Sequence, residues 1–191
     1  MEKLVVLALM ATFVAIRARH RPGYRAQRRR GPAATRERAL VLGVTLGTFA
    51  PLMLYAAGAL DPWSRWAGPA PLAIGLGLGL GGLVLLWRTH AALGLNFSPL
   101  VDLREDHALV QHGPYRFVRH PMYTSGFLLF LGIGLISGNP ALAVPPLVAL
   151  SVLVAARLPS EEAMLAERFG ESWRRYSRST GRLLPGRGLA S

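Results

Sequence analysis

The chain has no cysteine, a single lysine and only ten acidic residues among its 191 positions. Without cysteine there is no disulfide scaffold, no thiolate zinc or iron–sulfur site and no cysteine nucleophile. Charge of either kind is sparse, 17% of residues, yet 21 arginines against so few acids leave a formal net charge of +12. Hydrophobic residues make up 51%, and the mean hydropathy is +0.32. An ordinary water-soluble enzyme does not combine so apolar a composition with so large a charge. The length bounds the chain to about one domain.

The arginines avoid several long apolar runs and crowd the segments between them. Ala39–Leu60 is 22 residues without a charge and Gly68–Trp87 is 20. Each reaches the roughly 20 residues that a helix needs to cross the hydrocarbon core. Leu4–Ile16 is shorter and would span only with Met1–Lys3 and the stems of Arg17 and Arg19 snorkelling to the interface. From His120 to Ala156 there is again no formal charge, and the run reads as a hairpin: Met122–Ser137, a turn at Gly138-Asn139-Pro140, then Ala141–Ala156. The expected fold is therefore all-α and polytopic, with about five transmembrane helices.

Segment 17–38 holds nine arginines against Glu37, whereas 61–67 holds only Arg65 against Asp61. The segment 88–121 and the tail after Arg157 are again basic. Excess positive charge stays cytoplasmic, which puts the N-terminus outside and the C-terminus inside under a five-span count. A cleaved signal peptide fits poorly, because the apolar run meets Arg17-Ala18-Arg19 instead of a small-residue cleavage site. The expected division is 1–87, three helices with the Arg-rich loop, and 88–191, a loop, two short spans and an amphipathic helix.

Two features have bland explanations. The Arg-rich loop has one aromatic, Tyr24, and joins two spans, so contact with anionic lipid headgroups accounts for it better than nucleic acid does. The run Gly75–Gly82 has alternating glycines inside an apolar span. It lacks the strand and helix context of a dinucleotide site. The four-residue spacings Gly75/Gly79 and Gly77/Gly81 suit close helix packing in lipid.

The chemistry concentrates in two segments. His107–Tyr123 carries His107, His112 and His120, a turn at Gly113-Pro114, and Pro121 at a position that suits a helix start. Positive-inside bias explains Arg119, and an aromatic belt explains Tyr115 and Tyr123. Neither explains the histidines, whose spacings of 5 and 8 fit no compact metal signature, with Gly113 and Pro121 breaking any single helix between them. The second segment, Arg157–Leu165, places Ser160 as an N-cap candidate with Glu161 and Glu162 in the turn after it. Leu165, Phe169, Trp173 and Tyr176 then recur on one helical face, as in an amphipathic segment lying on a membrane or closing over the bundle. The glutamates read equally as a good helix start or as half of a site for a zwitterionic ligand.

Together, His-x-Leu-Val-x-x-Gly-x-Tyr-x-x-x-Arg-His-Pro-x-Tyr over His107–Tyr123 and Arg-x-x-x-Glu-Glu-x-x-Leu-x-x-x-Phe-Gly over Arg157–Gly170 resemble the isoprenylcysteine carboxyl methyltransferase family of integral membrane methyltransferases. Leu93–Ser98 and Thr180–Pro185 are similar to its prokaryotic five-span branch, and the likeness is detailed over about residues 90–186. It implies S-adenosylmethionine as methyl donor, leaving as S-adenosylhomocysteine, held without a Rossmann domain between the last spans and the tail. By position, His107, Ala108, Leu109 and Val110 would line the adenosine pocket and Tyr115 would cover it. His120, Pro121, Met122 and Tyr123 would contact the ribose and amino-acid portion, Glu161 the ammonium, and Arg157 an acidic acceptor. No metal is implied. Residues 101–106 do not align cleanly with the family's cofactor-contacting position there and are assigned no role.

The resemblance further implies a lipophilic acceptor entering from the bilayer, in the cytoplasmic membrane of a prokaryote. A carboxylate needs no general base. A phospholipid amine or a small thiol would need one, with His120 or Glu162 as candidates. A non-catalytic membrane scaffold or transport factor is the alternative of another class.

Overall fold

The computed structural model describes residues 1–20, 32–66, 68–94 and 109–186, with side chains from residue 35 onward in the second segment. His107 and Ala108 lie outside the described residues, as do most of the Arg-rich loop and residues 101–106. Five α-helices make up the described chain: α1 (Glu2–Arg19), α2 (Pro32–Ala56), α3 (Pro69–Leu93), α4 (Pro121–Ser137) and α5 (Pro140–Ser179). Three of them, α2 from Thr35, α3 and α5, are long and apolar enough to cross a membrane, and α4 is a shorter apolar helix. The outer surface is correspondingly greasy: Leu42, Leu46, Met53, Leu54, Ile74, Leu80, Val84, Val144, Val148 and Val152 are all exposed. A surface of that kind suits lipid, not water. This is an integral membrane protein.

Consecutive helices alternate in direction. At one end of the bundle Lys3 donates to Asp61 at 2.7 Å, and the buried Asn139 amide donates to the Leu60 carbonyl at 2.7 Å. Gly138 turns left-handed (φ 61°), and Asn139 caps α5 by accepting from the Ala141 N–H at 3.0 Å. The anticipated Gly-Asn-Pro turn is thus present, each residue in the role its chemistry favours. At the opposite end lie the basic termini of α1 and α3, where the rings of His20 and His90 stack with centroids 4.9 Å apart.

Helices α3 and α4 approach backbone to backbone. A Cβ at Gly75 would lie 2.8 Å from the Gly132 carbonyl oxygen, and one at Gly132 would lie 2.6 Å from the Gly75 oxygen. Gly82 meets the Ser125 carbonyl in the same way. Of the expected spacings, Gly75/Gly79 lies on the packed side: Gly79 faces Leu9 and its backbone meets Gly132. Gly77 and Gly81 face open space, because alternate positions on a helix point to different sides. Around this contact a core of Val6, Leu9, Met10, Leu83, Leu129, Phe130, Ile133 and Ile136 joins α1, α3 and α4. Helix α2 rests on α5 at Gly47, against Ala149 and the Pro145 carbonyl.

The structure corrects one sequence expectation here. No separate tail helix starts at Ser160. Helix α5 runs on from Pro140 through Pro159, and the Ser160 hydroxyl donates back to the Arg157 carbonyl at 2.8 Å. Proline inside a helix removes one i→i−4 bond, and neighbouring turns carry the helix across. The break comes at Gly170 instead, with φ 51° and ψ −121°, a conformation that glycine adopts most readily. It interrupts the apolar stripe: Trp173 and Tyr176 are buried, while Leu165 and Phe169 are only half-buried.

Candidate functional site

The start of α4 is where the first motif acquires a shape. Gly113–Arg116 forms a short 3-10 turn, His120 is the N-cap of α4 and Pro121 its first residue, as a proline without an N–H favours. A helix start leaves N–H groups unsatisfied. The returning C-terminal segment supplies acceptors just ahead of and at that start: the Arg119 N–H donates to the Gly181 carbonyl at 2.8 Å and the His120 N–H to the Arg182 carbonyl at 3.0 Å. The Thr124 hydroxyl donates to Leu183 O at 2.7 Å. The Tyr176 phenol donates to the Tyr115 carbonyl at 2.7 Å, fastening the 3-10 turn to the end of α5.

Because α5 stays helical past Pro159, Arg157, Glu161 and Glu162 project from one rigid rod onto this start. The Tyr123 hydroxyl donates to Glu161 Oε1 at 2.6 Å. The buried His120 ring lies between the glutamates, with Nε2 3.2 Å from Glu162 and Nδ1 3.7 Å from Glu161. Arg157 Nε is 3.5 Å from Glu161. The two motifs, separated by more than thirty residues of chain, therefore form one cluster. Leu109 and Val110 are half-buried just ahead of the 3-10 turn, Pro121 is buried, and Met122 accepts a long contact from Arg17 Nη1 at 3.8 Å.

Glu37 and Arg182 join the cluster from outside the two motifs, and the motif residues Arg119 and Glu162 take up partners that their positions did not indicate. Glu162 is the hub of a charged knot, with Arg182 Nη2 at 2.9 Å and Arg119 Nη1 at 3.3 Å in addition to His120. Arg119, read from sequence as a positive-inside flank, has only 8% of its side chain exposed and lies over the Trp173 ring at 5.7 Å. Glu37, the lone acid of the Arg-rich segment, reaches from α2 to Arg157 Nη2 at 2.8 Å. An acid isolated among nine arginines was the signal available for Glu37, and the Glu pair was the signal for Arg119 and Arg182.

The electrostatics follow from burial and neighbours. Burial raises the Glu162 carboxyl, but hydrogen bonds from His120 and Arg182 and the Arg119 charge outweigh it and hold the group below the ordinary carboxylate range. Burial, with Tyr176 and Glu161 nearby, pushes the Tyr115 phenol well above its ordinary value, so it stays protonated. Burial likewise lowers Arg119, and its Nε is buried without a hydrogen-bond partner among the described residues.

This donor set fits an amino-acid-bearing sulfonium cofactor. A carboxylate that retains acceptor capacity (Glu161) suits an ammonium, a spare buried guanidinium N–H suits a carboxylate, and protonated tyrosines flank both. An open depression of about 440 Å³ along the last turns of α5, lined by Glu171, Arg175, Arg178 and Ser179, shares none of these groups.

Known proteins point the same way. The family model described as phospholipid methyltransferase matches residues 71–172. A protein-S-isoprenylcysteine O-methyltransferase from Tribolium castaneum is 35% identical over 115 residues, covering 59% of this chain and 41% of its own length. Its namesake A from Arabidopsis thaliana is 37% identical over 95 residues, 48% of each chain. The cobalt-zinc-cadmium resistance protein CzcN from Cupriavidus metallidurans is 31% identical over 124 residues, 64% of this chain and 54% of that one. The chain thus spans about half the length of the curated relatives it matches. Among solved structures, the eukaryotic intramembrane Ras methyltransferase ICMT superposes with a TM-score of 0.61 at 23% identity, covering all of this chain and 70% of that one, which establishes a shared fold. With the family model matching more than half of the chain, both motif segments inside or overlapping it, and a membrane helix bundle to carry them, this chain belongs to the phospholipid methyltransferase family, alongside the isoprenylcysteine carboxyl methyltransferases.

Proposed function

We propose that the protein is an S-adenosylmethionine-dependent membrane methyltransferase that esterifies a carboxylate of a lipophilic acceptor at the cytoplasmic face. The observation that carries this reading is the junction of the two motifs: Tyr123 and His120 from the α4 start meet Glu161 and Arg157 from α5 within hydrogen-bond or ion-pair distance. A scaffold protein has no need of such a cluster at a lipid boundary. The five-span arrangement with the N-terminus outside remains part of the proposal, supported by the gathering of Arg17, Arg119 and Arg157 at one end of the bundle.

In this reading Glu161 holds the ammonium of the donor and Tyr123 fixes the Glu161 rotamer. His120, Pro121 and Met122 border the ribose and amino-acid portion, Tyr115 covers the site, and Leu109 and Val110, continuing from His107 and Ala108, line the adenosine. When bound, S-adenosylmethionine supplies an electrophilic methyl group. Arg157 orients the acceptor carboxylate, which is already ionised and needs no base. The gain comes from alignment and from exclusion of water around opposite charges. Glu162, tied to three basic groups, is poorly suited to take up a proton, so His120 is the better candidate base should the acceptor be an amine.

The family's description favours that second reading, a phospholipid amine as acceptor. Transfer of labelled methyl from S-adenosylmethionine into a total lipid extract and into a synthetic S-prenylated cysteine, with products identified by mass spectrometry, separates the two. An alkali-labile methyl ester is expected. A base-stable methylamine would replace the carboxylate reading, and no labelled product in either case, with no binding of the donor, would return the protein to a non-catalytic role.

A further inference from the structure

Arg157 is engaged before any acceptor arrives. Its Nη2 is 2.8 Å from Glu37 on α2 and its Nε 3.5 Å from Glu161 on its own helix. All three side chains are shielded, with 13% of Arg157, 21% of Glu37 and 19% of Glu161 exposed. Glu161 has other partners in Tyr123 and His120, and the proposed donor brings it an ammonium. Glu37 has no such role in the donor site. If an anionic acceptor joined Arg157 with Glu37 still in place, three carboxylates would crowd one guanidinium in a setting where like charges are weakly screened.

We propose that Glu37 is a displaceable counter-ion: it occupies the acceptor's anionic seat on Arg157 in the resting protein and is exchanged for the acceptor carboxylate. This inference rests on the carboxylate-acceptor reading above. Two features make the exchange feasible. Breaking a shielded ion pair is costly mainly because it strands a charge, and neither charge is stranded here. Arg157 gains the acceptor, and Glu37 stands between Arg36 and Arg38 in a segment with nine arginines from 17 to 38. Residues 35, 36, 38 and 39 beside Glu37 are exposed, so a Glu37 side chain released from Arg157 has polar surroundings within reach at this end of α2. The residue then sets specificity, because a neutral acceptor cannot evict a carboxylate from a guanidinium.

The test uses the full chain in detergent or nanodiscs saturated with S-adenosylhomocysteine, titrated with N-acetyl-S-farnesylcysteine and separately with its methyl ester. Glu37→Gln should bind the free acid at least about fivefold tighter than wild type and bind the ester unchanged, while Glu37→Asp should resemble wild type. Arg157 in Glu37→Gln should also react faster with phenylglyoxal, followed by peptide mass spectrometry, whatever the acceptor. Equal or weaker binding of the acid by a Glu37→Gln protein that retains wild-type cofactor affinity, or an unchanged labelling rate at Arg157, overturns the displaceable counter-ion. If wild type methylates the acid and only the Glu37 effects fail, the methyltransferase reading stands without it. If wild type binds acid and ester alike and methylates neither, the acceptor class itself is wrong, and the exchange falls with it.

Discussion

Replacing Glu162 by Gln probes the charged knot that fastens the C-terminal segment to the start of α4. Gln keeps the shape and one acceptor oxygen but removes the charge that faces Arg182 at 2.9 Å, His120 at 3.2 Å and Arg119 at 3.3 Å. Removing one partner of a buried pair costs about 3–5 kcal/mol when the other charge is left stranded. That applies to Arg119, with 8% of its side chain exposed. It applies little to Arg182, 59% exposed, whose pairing is screened by solvent. The net expectation is a loss of about 2–4 kcal/mol, toward the lower end because Gln still accepts one hydrogen bond. For a chain of this size each kcal/mol corresponds to roughly 2–4 °C in Tm. The Tm in detergent should therefore fall by about 4–16 °C, with faster amide exchange at Arg119 and His120, whose N–H groups bond the tail.

The same variant has a pH signature. The Glu162 carboxyl is held below its ordinary value in the folded protein, so its contribution is present above the unfolded-state pKa of about 4.3 and is lost as pH falls through the lower folded-state value. The gap in Tm between wild type and Glu162→Gln should close on acidification below about pH 4. A Tm within about 2 °C of wild type at neutral pH, with unaltered exchange at residues 119 and 120, would refute the knot as a stabilising element.

Much of the fold was legible because lipid imposes a simple rule: a helix must be long and apolar, and charge must sit at its ends. The turn at Gly138-Asn139-Pro140 and the start of α4 at Pro121 were readable from residue chemistry alone. The end of the last span was not. Pro159 and Ser160 have the local character of a stop and a start, yet α5 continues through both and breaks at Gly170, where the segment turns to bring Trp173 and Tyr176 into contact with the loop before α4. Tertiary docking overrode local preference. The site was legible as two motifs, and Glu161, Tyr123 and His120 meet as their positions suggested. Glu37 was legible only as an anomaly of charge, because its partner lies 120 residues away and no local pattern encodes such a pairing.

Three further outcomes test the bundle and the site. Gly132→Val sets a branched side chain against the backbone of α3, since even a Cβ would lie 2.6 Å from the Gly75 oxygen and the Gly79 nitrogen. A loss of about 3 kcal/mol or more in thermal or denaturant unfolding is expected, whereas Gly77→Val, facing open space, should be nearly neutral. Glu161→Gln should weaken S-adenosylmethionine binding by about 1.5–3 kcal/mol in isothermal titration, and unchanged affinity would leave Glu161 as only a partner of Tyr123. Arg157 separates acceptor contact from donor contact, and two roles compete for it. As an anchor, its stem would reach the interface while its head binds Glu37 and Glu161, and its loss would loosen α2 without changing the chemistry. As the acceptor's partner, its planar fork would align a carboxylate oxygen with the methyl group, and lysine would keep the charge but lose the fork. Arg157→Ala should then leave donor affinity close to wild type and lower turnover by about 100-fold or more, the loss associated with misplaced reacting groups, with Arg157→Lys in between. An anchor predicts the reverse: a lower Tm, with turnover per folded molecule intact. Full turnover by Arg157→Ala on an identified acceptor would remove the carboxylate reading, because no other guanidinium among the described residues faces both Glu37 and the donor-side Glu161.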